Sequence, residues 1–127
     1  MDCYLGVFGH TALDIILQVP NLPEPNTSIG VEKKIVKYGG TGANIAKAAS
    51  DLDLKTSLAS FVGDDFPEDY KNYLTKSGVI LQDLKEMKGF RTPTCWIITD
   101  RNENQMAVID QGAMKHAEKF EIMKNTI

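Results

Sequence analysis

The sequence predicts an α/β fold, a doubly wound sheet with a small second β-sheet beside it. Three observations carry that expectation. Short apolar runs of strand character alternate with segments of helical periodicity over most of the chain. Glycines punctuate the joins, at Gly9, Gly39, Gly40, Gly42 and Gly78. Towards the carboxyl end, two apolar stretches flank a polar turn, the pattern of a hairpin.

Tyr4 to Gly9 is a short apolar run closed by glycine, expected as a buried opening strand. Leu13 to Val19 is a second strand, with Leu13, Ile15, Leu17 and Val19 on one face and Asp14, Ile16 and Gln18 on the other. Pro23 and Pro25 break the next stretch, because each biases its predecessor away from helix. Ile29 to Tyr38 mixes β-branched and charged residues and reads as an exposed ribbon. The glycines that follow open a helix near Ile45, whose apolar side is expected at Ile45, Ala48, Ala49 and Leu52. Ser57 to Val62 returns to strand.

Asp64 and Asp65 before Phe66-Pro67 read as a second helix start, since acidic residues suit a first turn and proline costs nothing there. That helix carries Tyr70, Tyr73 and Leu74 inward and stops near Gly78. Thr94–Thr99 and Gln105–Ile109 are the hairpin strands, joined by the turn from Asp100 to Asn104. Gly112 closes the hairpin, and Ala117 to Lys124 is weakly helical.

The chain's 127 residues make about one domain, and 43% apolar residues suffice for a packed core. Fourteen basic residues against seventeen acidic ones give a net charge of −3 without any run of Lys or Arg. That balance argues against nucleic acid as a partner, because phosphate binding needs a basic face. No stretch approaches the ~18 uninterrupted apolar residues of a membrane span. Asp2 stands where a secretory signal would carry positive charge, so a cytoplasmic protein is expected. Cys3 and Cys95 lie too far apart in sequence to suggest a disulfide scaffold or a zinc site.

Three features bear on chemistry. Asp14 interrupts an apolar strand, where a carboxylate buried without a partner is costly. It either faces water at a strand end or binds something in a cleft. Tyr38-Gly-Gly-Thr-Gly-Ala-Asn44 runs straight into a helix, which lets a ligand approach the backbone closely. The third position of a dinucleotide fingerprint falls on Ile45, and no Gly-Lys-Ser/Thr follows, so neither phosphate motif is met. The plainer reading is a helix start capped by Thr41. His10 and His116 have no second His or Cys at ligand spacing, and Trp96 reads as core or oligomer interface.

Taken in order, Gly9-His-Thr-Ala-Leu-Asp14, Pro23-Glu-Pro-Asn-Thr-Ser28, the glycine segment ending at Asn44, a helix, and Phe61-Val-Gly-Asp-Asp65 form a longer pattern. It resembles the amino-terminal half of the ribokinase family, also called the phosphofructokinase-B (PfkB) family of carbohydrate and nucleoside kinases. That family's first signature is a glycine pair followed closely by an Asn at a helix start, which Gly39, Gly40 and Asn44 match. Within the family the likeness is to archaeal-type nucleoside kinases. They share the Pro-Glu-Pro-Asn-Thr-Ser-Ile string, Thr-Pro before the hairpin, and the Gly-Ala-x-Lys-His pattern seen from Gly112 to His116.

The resemblance implies a ribokinase-like doubly wound sheet with a β-sheet lid, its strands near 13–19, 29–38 and 92–110, inserted in the amino-terminal portion of a kinase domain spanning 1–127. It implies that Asp14 grips sugar hydroxyls and that the Gly40 backbone and the Asn44 amide contact the same sugar. Gly39 allows the close approach, and Thr41 stands where some members carry lysine. Cys95, Ile97 and Ile109 would roof the pocket, and the exposed ribbons favour a homodimer formed through the lid.

The implied activity is transfer of the γ-phosphoryl of ATP, with Mg2+, to the 5′-hydroxyl of a nucleoside. The family's catalytic aspartate lies in a Gly-Ala-Gly-Asp segment, and nothing after Gly112 resembles it. The expectation is therefore a portion of a kinase with no catalytic residue of its own, inactive alone, whose ATP and Mg2+ are held mainly by a carboxyl-terminal half. Two alternatives stay open. One is a sugar kinase acting on ribose, fructose or a sugar phosphate, for which Lys33, Lys34 and Lys37 are the candidate cations, alternating between faces. The other is a short, non-catalytic sugar-binding module.

Overall fold

The computed structural model describes residues 4–119. They run β1 (Leu5–Phe8), β2 (Ala12–Gln18), β3 (Lys33–Gly39), α1 (Thr41–Asp51), β4 (Thr56–Gly63), α2 (Glu68–Lys76), β5 (Leu84–Met87), β6 (Thr94–Thr99) and β7 (Gln105–Asp110). A 3-10 segment follows over Gly112–Lys119. Residues 120–124 of the weak helix expected from Ala117 lie outside the described residues, and the helical turn begins five positions earlier than that pattern suggested, at Gly112.

β1, β4 and β5 form a parallel sheet in the order β1-β4-β5. All eight residues of β4 are buried, as a parallel strand covered on both faces requires. On one side Leu58 and Val62 pack with Ala43 and Ala46 of α1 and with Phe66, Tyr70 and Leu74 of α2. On the other, Phe61 meets Ala113 and Met114 of the 3-10 segment. β1 forms where expected but is not buried: it is an edge strand, and Phe8 is 47% exposed.

The second sheet has the order β3-β2-β6-β7. β2 pairs antiparallel with β3 and parallel with β6, and β6 closes the hairpin with β7. β3 begins at Lys33 rather than Ile29. The chain leaves and re-enters the core around residues 9–11, 39–40, 91–93 and 111–112, so the joins between the sheets cluster.

Both helices depart from the expected detail. α1 begins at Thr41, with Gly40 as its N-cap and no side-chain cap, so Thr41 is the first helical residue and not the cap. Its buried face is Gly42, Ala43, Ala46 and Ser50, while Ile45 is 51% and Leu52 80% exposed. The physical reason is proximity: a β-carbon on Gly42 would lie 2.7 Å from the Gly9 carbonyl carbon, so only small residues fit that face. In α2 the first-turn acids are Glu68 and Asp69, whereas Asp64 and Asp65 precede the helix and bind loops. Tyr70 and Leu74 point inward, but Tyr73 is 43% exposed, resting edge-on to Tyr70 with Lys47 over its ring.

Candidate functional site

β2 carries Asp14 into the middle of the four-stranded sheet. Its register partners are Lys37 on β3 and Cys95 on β6, and Cys95 is opposite Ile109 on β7. Directly paired residues project to the same side of a sheet, so these four form a row across one face. Ile35, Ile16, Ile97 and Ala107 make the next row of that face. Asp14, Cys95, Ile97 and Ile109 therefore share a surface. Cys95 and Ile97 are half-buried there, and Ile109 is exposed.

Toward the core this face ends in glycine. A β-carbon added to Gly39 would lie 2.5 Å from Asp14 Oδ2 and 2.7 Å from its Cγ, so the carboxyl group occupies the room a side chain would need. Gly40 has φ +96°, a conformation that side-chain-bearing residues avoid, and a β-carbon there would strike the His10 carbonyl. The turn is held by backbone bonds: Ala43 N–H donates to His10 O at 3.1 Å, and Asn44 N–H to Gly40 O at 3.0 Å. From α2, Tyr70 Oη donates to Gly39 O at 2.6 Å. Asp14, Gly39 and Gly40 thus meet at one point, and Thr41 and Asn44 sit exposed on the adjoining first turn of α1.

Burial raises the Asp14 carboxyl above its ordinary range, and the Lys37 ammonium opposes that rise. Among the described residues no hydrogen bond reaches either Asp14 oxygen, which leaves two acceptors turned to whatever enters. Burial, and then the Asp14 charge, push the Cys95 thiol up. Burial chiefly, with Tyr73, Asp14 and Tyr38 adding to it, holds the Tyr70 hydroxyl protonated far above neutrality, so it stays a donor.

The same residues do not fit a nucleotide–metal centre. Among the described residues no group of three or more His, Cys, Asp or Glu is placed to hold a metal ion. The amides of Ala43 and Asn44 already donate to backbone carbonyls. His10 instead bridges two crossings, its Nε2 donating to Gln111 Oε1 at 2.6 Å, and His116 lies edge-on to Phe90.

Two contributors have no local signal in the sequence. Asp65 Oδ1 accepts from Thr92 N–H at 2.8 Å and from Thr92 Oγ1 at 2.7 Å, which ties the core to the start of β6. The other is the Tyr70 hydroxyl, which helical periodicity marks only as core. Both depend on partners more than 25 positions away, at sequence separations of 27 and 31.

Comparison with known proteins now decides the family. Residues 4–125 match the pfkB family of carbohydrate kinases. The chain belongs to that family. A nucleoside kinase of Methanothermobacter thermautotrophicus is 36% identical over 127 residues, 99% of this chain and 41% of that protein. The crystal structure of Methanocaldococcus jannaschii nucleoside kinase, an archaeal member of the ribokinase family, is similar with a TM-score of 0.86 at 38% identity, over 91% of this chain and 39% of that one. Ribokinase from Cryptococcus neoformans var. grubii serotype A, solved in complex with ADP, gives a TM-score of 0.79 at 27% identity, over 86% of this chain and 34% of that one.

The ribokinase-like α/β fold expected from the pfkB resemblance is the fold observed. The chain spans about two fifths of the length of the curated pfkB-type relatives it matches. No helix among the described residues is long and apolar enough to cross a membrane.

Proposed function

We propose that this chain is the ribose-binding portion and lid of a kinase that phosphorylates the 5′-hydroxyl of a nucleoside with ATP. One observation carries the reading. The Asp14 carboxylate is seated on Gly39, without hydrogen bonds among the described residues, and shares an apolar sheet face with Cys95, Ile97 and Ile109. A vicinal diol brings two hydroxyl donors, which suit two carboxylate oxygens. The isoleucines suit the flat apolar surface of a base. Gly40 and Asn44 take further hydroxyl contacts, and Thr41 lines the same turn.

Transfer forms a bond from the 5′ oxygen to the γ-phosphorus and breaks the bond to the ADP oxygen, while the hydroxyl proton passes to a base. This chain's share is placement, which dominates phosphoryl transfer. We assign the base, the ATP phosphates and Mg2+ to the length of the relatives that this chain does not span, so these 127 residues alone transfer no phosphate. The reading goes with a cytoplasmic setting and a small-molecule substrate. It also goes with a homodimer through the lid, whose other face groups Val36, Trp96 and Val108 in one row, with Met106 beside it.

A sugar phosphate is the second reading, because Lys33 and Lys37 lie on the Asp14 face. A phosphorylation screen of the full-length protein with nucleosides, ribose, fructose and fructose 6-phosphate separates the two. Nucleosides are expected to lead; preference for fructose 6-phosphate rejects the first reading. Nucleoside binding without any transfer would mark a non-catalytic module instead.

A further inference from the structure

Tyr70 sits in α2, outside the glycine turn, yet it holds the end of the strand that leads into it. Its side chain is buried to 1% exposure. Its ring stacks on Tyr38 with centroids 4.3 Å apart and planes 15° from parallel, and Phe66 packs against it at 5.2 Å. Its hydroxyl donates to Gly39 O at 2.6 Å. Tyr38 and Gly39 are the last two residues of β3, where that strand enters the core.

We infer that Tyr70 is a positioning residue of the sugar site, setting the Gly39–Gly40 peptide and the angle at which β3 meets the core. The inference rests on the functional reading above and adds a residue to it. The peptide unit is planar, so the Gly39 carbonyl and the Gly40 N–H turn together. Pinning the carbonyl from behind fixes where the Gly40 N–H points. Gly39 is also the seat of the Asp14 carboxylate, so any rotation of this peptide moves the floor under that group. The ring stack meanwhile holds the strand carrying Lys37, the register partner of Asp14. One side chain from the core therefore governs the backbone donor and the neighbour of the acidic acceptor.

Tyr70→Phe in the full-length protein keeps the ring and removes the one oxygen. The expected result is a rise of about tenfold in KM for the nucleoside with KM for ATP unchanged. Leu74→Val, elsewhere on α2, is expected to lower thermal stability and leave both KM values in place. A wild-type enzyme that phosphorylates nucleosides alongside an unchanged Tyr70→Phe variant overturns the inference. The Gly40 amide nitrogen resonance gives a readout independent of catalysis, because it senses the hydrogen bond on the preceding carbonyl. It is expected to shift in Tyr70→Phe while the β4 amide resonances stay in place. If the wild type phosphorylates nothing, the functional reading fails by itself, and an unmoved Gly40 resonance then rejects the role of Tyr70 separately. Should Tyr70→Phe not fold, 3-fluorotyrosine at position 70 preserves ring and hydroxyl. It should shift the Gly39 carbonyl carbon resonance, and an unmoved resonance rejects the inference.

Discussion

The carboxyl group of Asp14 rests against the α-carbon of Gly39, filling the space that any side chain at that position would take. The atoms in the way are the mobile end of a side chain. At Gly40, by contrast, the obstruction is the backbone of His10 and Ala12, and φ is +96°. The two glycines should thus fail differently. Gly39→Ala is expected to fold with nearly wild-type stability while displacing Asp14 and weakening nucleoside binding at least about tenfold. Gly40→Ala is expected to lose about 2 kcal/mol or more of stability, because backbone must move and the conformation is strained. Calorimetric titration and urea unfolding of both variants check this; tight binding by Gly39→Ala would detach Asp14 from the ligand.

Asp14 is held at a cost that ligand-free protein bears for no structural return. Its folded-state pKa is raised by burial, with Lys37 opposing. The native state therefore holds this proton more tightly than the unfolded chain does. That contribution to stability is fully present below the unfolded carboxyl pKa and is lost as pH rises through the raised folded value. Asp14→Asn is accordingly expected to be as stable as the wild type or more so at pH 7, with the difference closing in acid. In the full-length enzyme the same change should lower kcat/KM at least tenfold, about 1.4 kcal/mol. Wild-type affinity should fall with pH through the carboxyl titration, and the variant's should stay flat. Thermal unfolding and titration across pH 4–7 (about three units spanning the carboxyl range) test both halves. A variant that is destabilised yet fully active would reverse the assignment.

On the face of the four-stranded sheet opposite Asp14, Val36, Trp96, Val108 and Met106 are 53%, 37%, 62% and 52% exposed. A contiguous apolar sheet surface of this kind is a contact surface or an aggregation hazard. Pairing through it predicts that Trp96→Lys weakens the dimer of the full-length protein by at least about 2 kcal/mol, since buried tryptophans carry much of an interface's energy. Sedimentation equilibrium would show the shift to monomer. A wild-type protein that is monomeric at every concentration removes the lid contact.

The strand pattern was readable because both sheets obey simple periodicities. β4 is apolar at Leu58, Ala59, Phe61 and Val62 with only small polar residues among them, and β6 and β7 flank a polar turn whose Asp100 accepts the amides of Asn102 and Asn104. The shared face of Asp14 with Cys95, Ile97 and Ile109 followed from register, which alternation alone could only suggest. What was not readable depends on distance in sequence. Asp64 and Asp65 look like helix-capping acids until Gly89 and Thr92 arrive from loops far along the chain. The short β5, Leu84–Met87, has no apolar alternation to announce it and exists through pairing with β4.

The inward face of α1 departs from its hydrophobicity pattern for a related reason, and that departure makes a sharp prediction. Hydrophobicity puts Ile45 and Leu52 inside; geometry puts Gly42, Ala43, Ala46 and Ser50 there, because α1 lies so close to the β1–β2 join that only small groups fit. Ala46 has no exposed surface, whereas Ile45 is half in water. Ile45→Ala is therefore expected to change unfolding free energy by no more than about 0.5 kcal/mol, the range of exposed substitutions. Ala46→Leu should cost about 1–3 kcal/mol by overpacking, although it makes the helix more hydrophobic. It should also push α1 from the Gly9–Gly42 contact and carry the first turn, with Asn44, away from Asp14. A loss of nucleoside affinity larger than the stability loss explains would then appear in Ala46→Leu alone. Equal effects of the two substitutions in denaturant titrations would place the buried face of α1 where hydrophobicity, not proximity, puts it.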